Sequence, residues 1–196
     1  MKNENWCISI NKPEFSSRRK RFKEFSDFHG WDVSFWDAVD CRNLTLKDYP
    51  IWSDPHLRTG EIGIWWSTKN IYEYAMKKKL DCLTIFEDDV KIISPPPKMI
   101  DIENTDYIFF NNRDLGFDGY CVTKSGMEKI LDVFSRKNGA KCPIDIFVQG
   151  DPKDPRFAKY RPPFTTKRIE RMVFHDNMFP TSIQETKIGQ ENYRSI

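Results

Sequence analysis

The run from Leu83 to Phe86 is short, apolar and β-forming, and it stops abruptly at Glu87, Asp88 and Asp89. Read as a strand, it delivers three consecutive carboxylates to its own carboxyl end. In a layered α/β fold with a mainly parallel sheet, that end is where ligands bind. The rest of the chain has to supply the layers.

Trp6 to Ile10 reads as a first strand, and residues 16–29 as a helix with Phe22, Phe25 and Phe28 on one face, stopped by Gly30. A second short strand covers 33–36. Residues 41–58 carry two prolines and no clear period, so they read as a long loop of the kind that tends to be functional. From Glu61 to Lys79, Ile62, Trp65, Trp66, Lys69, Tyr72 and Met76 follow helical spacing, and Lys77 to Lys79 place positive charge at the helix's negative end. Beyond Pro95 to Pro97, residues 107–110 and 120–123 read as strands, and Ser125 with Glu128 as a capping box opening a helix to about residue 135.

Strands alternating with helices predict one α/β domain over residues 1–196: a core over 1–145 and a short basic, aromatic C-terminal lobe over 146–196. A chain of 196 residues suits a single domain. With Lys and Arg at 31 against Asp and Glu at 29, the net charge of +2 does not announce a nucleic-acid or anionic-membrane partner. The five cysteines (Cys7, Cys41, Cys82, Cys121, Cys142) are odd in number and contain no C-x-x-C pair, which fits buried thiols better than a disulfide or zinc scaffold. No stretch approaches the roughly 20 apolar residues that span a bilayer, and the first residues lack the layout of a secretion leader, so the expected location is cytoplasmic.

Carboxylates of the Glu87 to Asp89 kind suit Mg²⁺ or Mn²⁺, which bridge protein oxygens to a substrate diphosphate; a solvated acidic turn is the alternative. No P-loop and no G-x-G-x-x-G occurs, so phosphate handling would fall to metal and arginine. Arg18 to Arg21 follow the first strand, where a diphosphate or a ribose is within reach. The histidines, His29, His56 and His175, form no H-E-x-x-H pattern, and no serine or cysteine sits in a local nucleophile signature.

In order along the chain, Ile8 to Asn11 with Ser17 to Arg19, Ala38 to Asp40, Gly60 to Gly63 with Trp66 and Ser67, Ile85 to Val90, Gly119 to Gly126 and Pro143 to Asp145 resemble glycosyltransferase family 25. That group contains bacterial lipooligosaccharide galactosyltransferases and procollagen galactosyltransferases. Pro180 to Gln184 and the ending Ser195-Ile196 are similar to its C-terminal pattern. Ile64 and Thr68 stand where the family has Cys and His.

The resemblance implies a GT-A type, Rossmann-like nucleotide-sugar-binding domain, an inverting mechanism and a UDP-sugar donor. It implies Glu87 and Asp89 as metal-side carboxylates for Mn²⁺ or Mg²⁺, with His175 as a late metal or diphosphate contact. Ile10, Asn11, Arg18, Arg19, Ala38 and Asp40 would line the nucleotide pocket, and Asp88 would touch the donor sugar or ribose. Asp145, or else Glu61, would be the base.

Residues 156–171 hold six basic side chains against Glu170 alone, interleaved with Phe157, Tyr160 and Phe164. Such a segment can hold phosphates and stack bases, with Arg161, Lys167 and Arg168 as acceptor or phosphate contacts, or it can snorkel over a core. The expected acceptor is a glycan such as lipooligosaccharide. A transferase acting on a hydroxylated base in DNA, and a non-catalytic nucleic-acid-binding module, are the alternatives.

Overall fold

In the computed structural model, residues 1–111, 116–169 and 172–175 are described, the side chain of His175 excepted. The acidic strand, β3 (Cys82–Glu87), lies at the middle of a six-stranded sheet. Around it the order is β2 (Ser34–Asp37), β1 (Asn3–Ser9), β3, β6 (Gly119–Thr123), β5 (Tyr107–Phe109) and β7 (Thr166–Arg168). β1 runs parallel to β2 and β3, β5 runs parallel to β7, and β6 is antiparallel to both its neighbours. The sheet is therefore mostly parallel, with β6 reversed.

Period-two alternation assigns the two faces. Leu83, Ile85, Tyr107, Phe109, Tyr120 and Val122 pack on one side with α2 (Thr59–Lys78), α3 (Lys124–Val133) and α4 (Ile144–Gln149). Cys82, Phe86, Ile108, Phe110 and Cys121 pack on the other, against Phe22 of α1 (Ser16–Phe28) and a two-stranded ribbon of β4 (Val90–Ile92) and β8 (Val173–His175). All five cysteines are buried free thiols. Among the described residues no helix is long and apolar enough to cross a membrane.

Two expectations need correcting. Phe28 is 83% exposed and off the face expected for it; six positions at 100° each turn it far from Phe22, and the buried stripe is Arg18, Phe22 and Ser26. The cap of α3 is Thr123, whose Oγ1 accepts from the Gly126 N–H, while the Ser125 hydroxyl donates to Asp106. Residues 41–58 form the expected long loop, anchored by a 3-10 turn over Leu46–Asp48 and by main-chain hydrogen bonds that Trp52 and Asp54 exchange with Ala140. The C-terminal segment adds β7 to the main sheet and β8 to β4, two strands that the weak periodicity there did not predict.

Candidate active site

Because β6 alone is reversed, the carboxyl ends of β1, β2 and β3 and the amino end of β6 reach the same sheet edge. A cleft of about 400 Å³ opens there. Its walls hold Ser9 and Ile10 at the end of β1, Ala38 to Asp40 after β2, Glu87 to Asp89 at the end of β3, Asp118 before β6, the first turns of α2, and residues 143–146 at the start of α4.

The wall formed by Ala38 to Asp40 is fixed by close contacts. The Ala38 N–H donates to the Ser9 carbonyl at 2.9 Å. Ser67 Oγ accepts from the Val39 N–H at 2.8 Å and donates to the Gly63 carbonyl at 2.7 Å. A Cβ at position 63 would lie 2.7 Å from the Val39 carbonyl oxygen, so only glycine lets α2 approach this step.

Beyond it, Asp40 accepts from Arg42 Nε at 2.8 Å, from Arg42 Nη2 at 2.7 Å and from Lys12 Nζ. The Arg42 guanidinium holds the Asp40 carboxyl well below the usual carboxylate range, against the upward push of burial. Arg42 and Arg18 both stack on the buried ring of Phe15, at 5.0 and 5.3 Å from its centroid. Arg18, 3% exposed, stands 3.6 Å from Asp88, whose other oxygen accepts the Ser9 hydroxyl.

The opposite wall is acidic. Burial pushes Glu87 well above the ordinary range, and the charges of Asp89, Asp118, Asp145 and Asp88 push the same way. Burial also raises Asp145, against the N–H of Ile146, and Glu61, against the N–H of Arg58 at 2.7 Å. Burial raises Asp88 too, opposed by Ser9 and Arg18. Among the described residues no three His, Cys, Asp or Glu side chains form a ready cage for a cation. Mg²⁺ is ordinarily held by one or two carboxylates together with substrate phosphates, so the donor chemistry of this wall fits such an ion without a cage.

The chain was compared with known proteins by family model, by sequence and by fold. No protein-family model matches the chain. A Haemophilus influenzae (strain ATCC 51907 / DSM 11121 / KW20 / Rd) protein that carries a provisional glycosyltransferase name is 25% identical over 222 aligned positions, covering 92% of this chain and 75% of that protein. The crystal structure of a glycosyltransferase involved in the glycosylation of the major capsid of PBCV-1 matches with a TM-score of 0.52 at 15% identity, over 95% of this chain and 97% of that one. Both comparisons give a glycosyltransferase. The structural match supports a GT-A-like, Rossmann-type fold.

Against this cleft, the residues expected from sequence divide into those that line it and those that do not. Ile10, Arg18, Ala38, Asp40, Glu61, Glu87, Asp88, Asp89 and Asp145 line it together. Asn11 and Arg19 brace its rim from outside, both donating to Asp37, with Arg19 also on the Ser9 hydroxyl and carbonyl. Arg161 donates to the carbonyls of Ala158 and Tyr160, and Lys167 pairs with Asp101 at 2.8 Å; neither lines the cleft. His175 lies opposite Val90 in the β4–β8 ribbon, and its side chain is outside the described residues.

The cleft also contains Asp118, Arg42 and Arg58, which the sequence reading passed over. The strand expected over 120–123 leaves Asp118 just ahead of its opening end. Only the reversed direction of β6 tells that this opening end faces β3's closing end.

Proposed function

We propose that the protein transfers a glycosyl group from a nucleoside-diphosphate sugar, a UDP-sugar in the first instance, to an acceptor hydroxyl, and that it is a family 25 type enzyme. The observation carrying this reading is the division of one edge cleft into an arginine-bearing wall, with Arg18 and Arg42 on Phe15 and Asp88 drawn to Arg18, and a wall of four carboxylates, Glu87, Asp89, Asp118 and Asp145.

The nucleotide belongs beside Ile10, Ala38 and Asp40, which puts its diphosphate between Arg18 and the acidic turn. Glu87 and Asp89 would hold a divalent ion, which when bound supplies Lewis-acid stabilisation of the leaving diphosphate. Asp145 takes the proton from the attacking hydroxyl; a carboxyl raised by burial is a better base than an exposed one. Glu61 is the weaker candidate, because its carboxylate caps α2 through the Arg58 N–H. A glycan is the favoured acceptor over duplex DNA. In the basic aromatic segment Lys167 is spent on Asp101, and Arg168 turns inward to Asn111 and Gln149, so these side chains do not form an open phosphate-binding face.

Thermal unfolding with UDP and UDP-sugars, with and without Mn²⁺, tests the proposal. Metal-dependent stabilisation by UDP is expected, lost in Asp89→Asn while that variant stays folded. Full activity of Asp89→Asn in EDTA would refute the metal assignment, and no stabilisation across a nucleotide panel would refute the donor assignment.

A further inference from the structure

Behind the acidic wall lies a hydrogen-bond network that the reading above leaves unused. Arg168, the last residue of β7, donates from Nη2 to Gln149 Oε1 at 2.9 Å and from Nη1 to the main-chain and side-chain oxygens of Asn111, at 3.3 Å each. Its guanidinium lies over the Phe109 ring at 5.5 Å from the centroid. A guanidinium only donates, whereas a primary amide accepts at one end and donates at the other. Arg168 therefore fixes the polarity of both amides. Asn111 Nδ2 then faces Asp118 Oδ2, 2.8 Å away, and Gln149 Nε2 donates to the Gly116 carbonyl at 3.0 Å.

Asn111 and Asp118 are 1% and 3% exposed, so their contact is dry, while Arg168 and Gln149 stand on its solvent side. Asp118 and Gly116 line the cleft, and the Asp118 carbonyl accepts the Glu87 N–H at 3.0 Å.

We propose that Arg168 is a positioning residue: through Asn111 it aims the Asp118 carboxylate into the cleft, and through Gln149 it holds the Gly116 carbonyl of the same wall. The inference rests on the glycosyl-transfer reading given above. Asp118 lies on the wall of Asp145, away from Ala38 and Asp40, so the network acts on the sugar end of the donor and leaves the nucleotide end alone. A lysine reaches one amide at a time and cannot orient both.

The test uses the full chain as wild type, Arg168→Met, Arg168→Lys, Asp118→Asn and the Arg168→Met/Asp118→Asn double variant. Three quantities are read: kcat for release of sugar from UDP-galactose or UDP-glucose, Kd for UDP, and Tm. Arg168→Met is expected to lower kcat roughly 10- to 100-fold, the scale of a small misplacement of a reacting group, with Kd for UDP within about twofold of wild type. Arg168→Lys recovers part of the rate, and the double variant is no slower than Asp118→Asn alone, because the two residues act in series.

A wild-type rate in Arg168→Met, losses that multiply in the double variant, or a fall in UDP affinity matching the fall in kcat would each overturn the inference. A wild-type protein that neither binds UDP nor releases sugar from any donor overturns the glycosyl-transfer reading itself, and the inference with it.

Discussion

Gly63→Ala isolates how the cleft is built. The added methyl would sit 2.7 Å from the Val39 carbonyl oxygen, and ordinary contact begins near 3.4 Å, so helix and loop must part by about 0.7 Å. That strain costs about 1–3 kcal/mol. Alanine in a helix interior returns about 1 kcal/mol over glycine, leaving a net loss of about 0–2 kcal/mol. On the proposed donor placement the functional cost is larger than the stability cost suggests, because the displaced residue lies between Ala38 and Asp40, which line the cleft, and its N–H is held by Ser67. A shift of this size should weaken UDP binding about tenfold, or about 1.4 kcal/mol.

Gly126→Ala is the matched control. A methyl there would meet the Asp106 carbonyl oxygen at 2.6 Å and Val122 Cγ2 at 2.9 Å, but at the far end of β6, where the chain leaves the sheet for α3. Thermal unfolding and calorimetric titration with UDP are run on both variants. Comparable destabilisation with weakened UDP binding in Gly63→Ala alone is expected; UDP affinity unchanged in both would refute the claim that α2 and Gly63 set the nucleotide wall.

Asp145→Asn should abolish transfer, by about 10²–10⁴-fold, yet raise Tm at pH 7 to 8. Burial raises the folded pKa of Asp145, so its carboxylate opposes folding above that value, and the effect vanishes below the unfolded value of about 3.9. A Tm gain that persists at pH 3.5, or none at pH 8, would contradict this. Asp106 has the opposite sign: burial pushes it up, but Lys129, the Thr165 N–H and Ser125 outweigh burial and hold it below its ordinary value. Its stabilisation is fully present above about pH 4 and is lost as pH falls through the lowered folded value. Asp106→Asn should cost about 2 kcal/mol at pH 7 and flatten the acid limb of the stability curve; an unchanged acid limb would exclude Asp106 from it.

What the sequence made legible was what hydrophobic pattern and charge determine locally. Leu83 to Phe86 had to be buried and the strand had to end at Glu87 to Asp89, and both follow from residue type alone; that these carboxyls are themselves buried did not. The helix after Arg58 was readable from its period, although its Gly63 and Ser67 acquire meaning only when Val39 is beside them. Properties that depend on a strand's direction or exact end were hidden. Asp118 joins the cleft because β6 runs backwards, and the cap of α3 falls on Thr123 because β6 ends there. β7 is three exposed residues, Thr166 to Arg168, with no alternation to betray it, so Lys167 and Arg168 looked like a free basic face.

The near-balance of charge in the whole chain is not reproduced inside the cleft. Arg18 and Arg42 sit on one ring, with Asp40 and Asp88 drawn onto them, while Glu87, Asp89, Asp118 and Asp145 press on one another with burial raising Glu87 and Asp145. Proteins do not gather buried carboxylates for stability, since each raised group disfavours the folded state at neutral pH. The arrangement is coherent when a ligand brings both signs at once: a diphosphate facing Arg18 and a cation facing Glu87 and Asp89 would relieve the two walls together. Neither would do so alone, because a bare anion meets the carboxylates and a bare cation lacks the phosphate oxygens that complete its shell. Binding of Mn²⁺ and UDP should therefore be mutually reinforcing, each tightening the other by the same factor. Calorimetric titrations of each in the presence and absence of the other measure that factor, and a factor of one would mean that the two walls serve separate ligands.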